Sequence, residues 1–150
     1  MAATADRKDP YQGYRFRLEI NGITYGGFRE CSGLDSTQDP VEYRDGTDVP
    51  TVRKLAGLVK YSNISLKRGI LDTSELWDWR KGIMDGNIVK NKLRKSGSII
   101  LMDDAGEEKR RWNFHDAWPT KWTGPTFNAT TNDVALETLD LAHEGLEKVK

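Results

Sequence analysis

The chain has 150 residues, and its 23 lysine and arginine residues balance 23 aspartate and glutamate residues, so the formal net charge is zero. This length suits one domain with its own core. The neutral charge balance provides no bulk attraction to nucleic acid or to an anionic membrane. The single cysteine excludes an intrachain disulfide framework. Because no apolar run approaches the roughly 20 residues of a membrane span, and no apolar signal-peptide core is present at the start, we expect a single domain over 1–150 that is made in the cytoplasm and does not insert into a membrane.

The N-terminal quarter predicts a flexible arm followed by a hairpin. Residues 1–10 are polar and alanine-rich, as loose termini often are. Apolar and charged residues then alternate over 14–20, which predicts a strand. The Asn-Gly pair at 21–22 suits the positive φ angles of a tight turn, so a return strand should follow. The apolar phase slips by one at the Gly-Gly pair 26–27, which predicts a β-bulge.

The next segment, 32–55, carries few apolar residues among charges and turn formers. An Asp-Gly pair at 45–46 could close a hairpin with arms near 41–44 and 49–54. Such a hairpin has too few apolar groups for a core of its own, and an isolated hairpin is marginal in water. It must therefore pack elsewhere, either on its own domain as a long loop or on a neighbouring subunit as an arm.

The clearest helix is predicted over about 73–85. Asp72 and Glu75 have the spacing of a capping box, and Gly86 is suited to the left-handed position that ends a helix. Three apolar side chains share one helical stripe and should pack against the core: Leu76, Trp79 and Ile83.

Two strands are predicted beyond the helix, joined by a charged turn at 103–108. Residues 96–102 end in four consecutive apolar residues, so both faces of that strand should be buried. Residues 112–118 alternate aromatic and polar side chains. The C-terminal segment 133–148 fits either a helical stripe or a strand with one change of face, and its leucine, alanine and glutamate favour helix.

No combination of residues predicts a reaction. A zinc site needs three or four closely spaced ligands, whereas the chain has two histidines and one cysteine. We interpret His115 as a surface residue and Cys31 as a buried structural residue, and His143 has no predicted partner for catalysis. The acidic residues at 103–108 do not match an EF-hand loop, and the basic run at 90–95 lacks aromatic residues for stacking bases. We therefore expect no cofactor, no metal and no enzymatic activity.

Short matches over nearly the whole chain carry a family resemblance. They are YRFRLEI at 14–20, GFRECSGL at 27–34, VEYRDG at 41–46, LAG at 55–57, YSNISLKRG at 61–69, the helix at 76–79 and LDLAHEGL at 139–146. In this order and spacing they resemble the inner-tube proteins of contractile phage tails and of phage-tail-like extracellular contractile injection systems.

The resemblance implies a mainly β fold, a two-sheet β-sandwich or squat barrel with one flanking helix and a long protruding hairpin over about 41–54. It also implies a strand at LDLAHEGL, 139–146, against the local helix propensity. Hexameric rings of identical subunits would join their sheets edge to edge and stack into a rigid hollow tube. A contracting sheath would drive that tube outward, and polar members of the alternating strands would face its lumen.

The implied partners are other copies of the chain, the sheath protein, the baseplate or tube-initiator protein, the terminator protein, and a cargo of effector protein or DNA in the lumen. The final location would be an assembled tail-like particle. Four hairpin residues would be inserted between stacked rings: Val41, Tyr43, Val49 and Val52. The alternatives are a tube initiator or terminator of the same machine, a ring component of a type VI secretion system, and a monomeric β-barrel that binds a small ligand.

Overall fold

The computed structural model describes residues 15–21, 23–25, 28–44, 46, 50–86, 93–130 and 134–150. Within these ranges the chain forms ten strands and one helix. The bounds are β1 Phe16–Ile20, β2 Ile23–Tyr25, β3 Phe28–Ser32, β4 Ser36–Tyr43, β5 Arg53–Tyr61, β6 Ile64–Gly69, α1 Glu75–Met84, β7 Lys95–Met102, β8 Glu108–Thr123, β9 Leu136–Ala142 and β10 Gly145–Lys148. In this part of the chain, no helix has the length and apolar character that a membrane span requires. The predicted arm at 1–10 lies outside the described residues.

Eight strands form one antiparallel sheet in the order β2-β1-β7-β8-β9-β6-β3, and β10 pairs with β8 beside this path. The 16-residue strand β8 connects two halves of the sheet. Its first part pairs with β7 and β10, and its last part pairs with β9. Between these parts Asp116 has a positive φ of 52°, and the ladder to β7 shifts register beside it. Such an irregularity bends a strand, so β8 turns from one half into the other.

One core cluster takes side chains from both halves of the sheet and from the helix, so the two halves pack against each other. The buried members are Leu18, Ile20, Ile64, Leu66, Leu76, Trp79, Ile99, Phe114, Ala117, Leu139 and Leu141. The expectation of a mainly β, two-layer fold with one helix is confirmed. The barrel form is not observed, because no ladder joins β2 to β3 among the described residues.

Both ends of the chain follow the strand predictions where they are described. β1 and β2 form the predicted hairpin, with Ile20 opposite Ile23 and a positive φ of 51° at Asn21. The predicted bulge at 26–27 lies outside the described residues. The C-terminal segment forms β9 and β10, so the strand implied by the resemblance is confirmed. The ladder between β9 and β6 outweighs the local preference for helix there.

The helix α1 starts differently from the prediction. The capping box of Asp72 and Glu75 is wrong, because Ser74 is the N-cap residue and makes no side-chain capping hydrogen bond. The Glu75 carboxylate instead accepts a hydrogen bond from Arg68 Nη1 at 2.7 Å. The charge-assisted hydrogen bond to Arg68 is stronger than a capping bond, so the Glu75 carboxylate binds Arg68 and does not cap the helix.

The apolar stripe of α1 faces the core. Leu76 and Trp79 are 2% and 4% exposed, and Ile83 packs against the same cluster. The Trp79 indole N–H donates to the backbone carbonyl of Leu93 at 2.7 Å, so its one polar atom is satisfied. Gly86 ends the helix with a φ of 79°, and its N–H donates to the Ile83 carbonyl at 3.1 Å, which confirms the predicted left-handed glycine.

The protruding hairpin is longer than the predicted 41–54, because β4 and β5 pair along their whole lengths. Every residue of β4 is exposed, so the added length has no apolar alternation by which a strand could be recognised. A β-bulge interrupts the ladder between Gln38 and Pro40. Beside it Gly57 approaches the opposite strand so closely that a Cβ would lie 2.3 Å from the Asp39 carbonyl oxygen, which requires glycine at this position.

Candidate assembly surfaces

The hairpin β4–β5 exposes an apolar face. Val41 lies opposite Leu55, and Tyr43 lies opposite Arg53. Because opposed residues of an antiparallel ladder project to the same side, Val41, Tyr43 and Leu55 form one cluster. Their exposed fractions are 51%, 49% and 51%. The subunit therefore leaves about half of each of these apolar side chains in water.

Two of the four residues predicted to stack between rings lie in this cluster, Val41 and Tyr43. Val52 precedes β5 and is 46% exposed, whereas Val49 lies outside the described residues. Leu55 was not among the predicted residues. Only the strand register identifies it, since the sequence does not specify which residue pairs with Val41.

Three strands form edges of the sheet. Among the described residues, β2 pairs with β1, β3 with β6 and β10 with β8, each on one side only. The β10 ladder continues to the C-terminus, where Arg111 N–H donates to the Lys150 carbonyl at 3.1 Å and Val149 N–H donates to the Arg111 carbonyl at 3.0 Å. Edges with unpaired backbone groups are sites at which a strand of another chain can add.

On the face of β1, β7 and β8 that points away from the core, polar side chains bond to one another around the buried Ile100. Ser98 Oγ donates to Asn113 Oδ1 at 2.7 Å, and Arg111 Nη1 donates to Ser98 Oγ at 3.1 Å and to Glu19 Oε2 at 3.2 Å. Most of these groups line a recess of about 250 Å³. Arg111 also binds Glu108, and this hydrogen bond lowers the pKa of the Glu108 carboxyl. Arg111 thus pairs with two carboxylates, Glu19 and Glu108.

A buried arginine joins four elements of the fold. Arg68 on β6 is 1% exposed. Its Nε donates to Glu137 Oε1 on β9 at 2.6 Å, and its Nη1 donates to Glu75 at the start of α1. The indole N–H of Trp122 on β8 donates to the second Glu137 oxygen at 3.1 Å. Removing Glu137 would leave the buried Arg68 without its buried partner, which is strongly destabilising.

Sequence reasoning did not find this network, although it had a signal. Arg68 occupies the same alternation phase as the buried Ile64 and Leu66. Glu137 occupies the phase of the buried Leu139 and Leu141. Two opposite charges in core positions predict a buried ion pair once the two strands are known to be neighbours.

The network should make stability depend on pH. The hydrogen bond from Arg68 lowers the pKa of the Glu75 carboxyl from 4.5 to about 2. The Arg68–Glu75 pair therefore stabilises the fold fully at pH values above about 4.5, and this stabilisation is lost as the pH falls towards about 2. We expect Glu75→Gln to lower the free energy of unfolding at pH 7 by roughly 1 kcal/mol, since the carboxylate is partly screened by solvent. Urea titrations at pH 7 and pH 3 should show this difference shrinking; a constant difference would contradict it.

The residues considered for chemistry are not assembled into a reactive site. His143 binds the backbone carbonyl of Gly145 at 3.1 Å, and the His115 side chain is 47% exposed. Burial raises the pKa of the Cys31 thiol to about 12, which makes it a poor nucleophile at neutral pH. Among the described residues, no group of three or more histidine, cysteine, aspartate or glutamate side chains could hold a metal ion.

The charged segments also have structural roles. Asp103 Oδ1 accepts hydrogen bonds from the N–H groups of Ala105 and Glu107 at 3.0 and 2.9 Å, which is the pattern of a hairpin turn. Of the basic run at 90–95, residues 90–92 lie outside the described ranges. Arg94 in that run pairs with Glu144 at 2.8 Å.

Comparison with known proteins identifies the family. The model of the T4-like virus tail tube protein gp19 family matches residues 12–147. A chain in the sheath–tube complex of the PVC extracellular contractile injection system, in its extended state, is 34% identical, with a TM-score of 0.79. The match covers 93% of this chain and 91% of that chain. No curated protein sequence gives a significant match.

Two further similar structures come from the ends of such tubes. A chain of the PVC sheath/tube terminator is 33% identical with a TM-score of 0.81, covering 95% of this chain and 99% of that one. A chain of the tube-terminating cap of the anti-feeding prophage is 29% identical with a TM-score of 0.82, covering 98% and 95%. The chain therefore belongs to the T4-like virus tail tube protein gp19 family and is a structural tail tube subunit of an assembled tail-like particle, not an enzyme.

Proposed function

We propose that this chain is the main tube subunit, forming hexameric rings that stack into a hollow tube. The observation that carries the proposal is the apolar face of the hairpin, where Val41, Tyr43 and Leu55 are half exposed. Complete burial of an exposed apolar side chain contributes about 1.5–3 kcal/mol, so burying the remaining half contributes roughly half of that for each residue. An isolated subunit forgoes this contribution, whereas stacked rings gain it around the whole circumference.

Within a ring, the expected contacts between subunits are the two edges of the half of the sheet that contains β2, β1, β7, the first part of β8 and β10. β2 and β10 lie at opposite ends of that half. If β10 of one subunit adds to β2 of the next, both edges gain backbone partners and the repeat closes into a ring. We also propose that residues 1–150 form a single tail-tube domain.

The lumen wall is assigned to the polar face that contains Glu19, Ser98, Arg111 and Asn113. Hydrogen bonds join these four side chains within the subunit. A wall whose polar groups already bond to one another holds a passing polymer weakly, and this suits conduction. The cargo would be an effector protein or DNA, with sheath protein outside and baseplate or tube-initiator and terminator proteins at the ends.

A tube terminator is the second candidate, because the similarity to a chain in the PVC sheath/tube terminator structure is as high as that to a chain in the sheath–tube complex. A terminator ring ends a stack and so would not polymerise by itself. This behaviour separates the two candidates.

Size-exclusion chromatography followed by negative-stain electron microscopy of the purified protein tests the proposal. We expect rings at low concentration and stacked tubes at high concentration. Rings that never stack would favour the terminator. A folded monomer at high concentration would contradict both candidates and favour the monomeric ligand-binding alternative.

A further inference from the structure

The exposed large apolar side chains of the described residues concentrate in two places. One is the hairpin, and the other is a groove on the flank of the sheet beside the start of α1. The groove is lined by Ile70, Leu71, Trp122, Pro125, Phe127 and Ala135, with Asp72, Thr73, Ser74 and Glu137 as its polar members. Apolar surface gathered in this way marks an interaction site more often than scattered single residues do.

The groove is open and has a fixed wall. Its volume is about 330 Å³, and Phe127 at its edge is 85% exposed. The Trp122 indole is held by its hydrogen bond to the buried Glu137 and by an edge-on contact with Trp77, with ring centroids 4.9 Å apart. A wall held in place before binding loses little conformational entropy when a partner docks.

We propose that this groove receives the β4–β5 hairpin of a subunit in the adjacent ring. The inference rests on the proposed tube function and specifies where the hairpin binds. No hairpin residue lines the groove of its own subunit, and both surfaces remain exposed, so a second copy is needed for them to meet. A contact between two different surfaces of identical chains is head-to-tail, which is the kind of contact that continues along a stack.

The chemistry of the two surfaces is complementary. The hairpin face presents Val41, Tyr43 and Leu55 to the apolar wall of the groove. Arg53 lies opposite Tyr43 on that same face, and Asp72 lines the groove. Arg53 already has a partner in its own subunit, but a guanidinium carries five donors and can bind Asp72 as well. Such a contact beside an apolar surface fixes register and orientation as well as adding attraction. Each chain carries one of each surface, so a stack of identical rings satisfies all of them except at its ends.

Disulfide trapping tests this placement. In a Cys31→Ser background, a chain carrying both Tyr43→Cys and Phe127→Cys should give, after mild oxidation of assembled tubes, a ladder of covalent multimers on a non-reducing gel. The single variants should give no ladder. A chain carrying Tyr43→Cys and Met84→Cys is the matched control, because Met84 is also an exposed apolar residue, at 50%, but does not line the groove.

A second variant removes the dependence on cysteine geometry. Phe127→Ser should abolish tubes while leaving rings, and Met84→Ser should leave both, as counted in electron micrographs. Normal tubes from Phe127→Ser, or trapping only through Met84, would overturn the groove as the docking site while leaving the tube function intact. Failure of the unmodified chain to form rings or tubes would overturn the proposed function and this inference together.

Discussion

Replacement of Tyr43 and Leu55 by aspartate is expected to abolish tubes without unfolding the subunit. Both side chains are about half exposed in the isolated subunit, so a carboxylate at either position remains hydrated there. In a stack the same positions would be buried, and taking an unpaired charge out of water costs several kcal/mol. The loss repeats at each subunit of a ring, so negative-stain micrographs of Tyr43→Asp/Leu55→Asp protein should show no tubes.

The opposite face of the hairpin supplies the control. Ser36→Asp and Ala56→Asp add the same two charges at exposed positions, but the register places these positions on the side away from Tyr43 and Leu55. This variant should still form tubes. Loss of tubes in both variants would mean that charge alone prevents stacking, and persistence of tubes in both would remove the hairpin from the stacking contact.

Replacement of Trp79 by alanine is expected to lower the free energy of unfolding by roughly 3–5 kcal/mol. Trp79 is 4% exposed within the core cluster, so its removal leaves a cavity. It also leaves the Leu93 carbonyl without the indole N–H that lies 2.7 Å away. Urea denaturation should be followed in the Tyr43→Asp/Leu55→Asp background, in which stacking does not contribute. All variants should be compared at one protein concentration, because ring formation also raises the apparent stability.

Trp77 on the same helix is the matched control for this experiment. It is 39% exposed, and its ring makes an edge contact with Trp122. Such aromatic pairs contribute about 0.5–1.5 kcal/mol, so Trp77→Ala should cost roughly 1 kcal/mol. Equal losses from the two substitutions would show that Trp79 does not hold the helix on the sheet.

Burial on one face decides which strands the sequence reveals. β6 and β9 bury alternate residues, and this imposes the period that identifies a strand. In β4 every residue is exposed, so no period exists and the hairpin was predicted too short. Leu55 was missed for a related reason, because its pairing with Val41 depends on a strand register that the sequence does not specify.

Local preferences were least informative where long-range partners decide the conformation. Residues 133–148 favour helix by composition, and the strand there was predicted from the family resemblance, not from propensity. Glu75 was assigned to a capping box, but Arg68 on a separate strand binds its carboxylate. Pairings of this kind join residues from different elements, so no spacing along the chain specifies them.

The bend in β8 has a consequence for how the subunit can fail. The strand β8 belongs to both halves of the sheet. Neither half can therefore separate without breaking backbone hydrogen bonds of the other half. The subunit should therefore unfold cooperatively, as one all-or-none event, with no intermediate in which half of the wall remains. Such a subunit suits a tube that bears a sudden axial load, because the subunit cannot unfold in part.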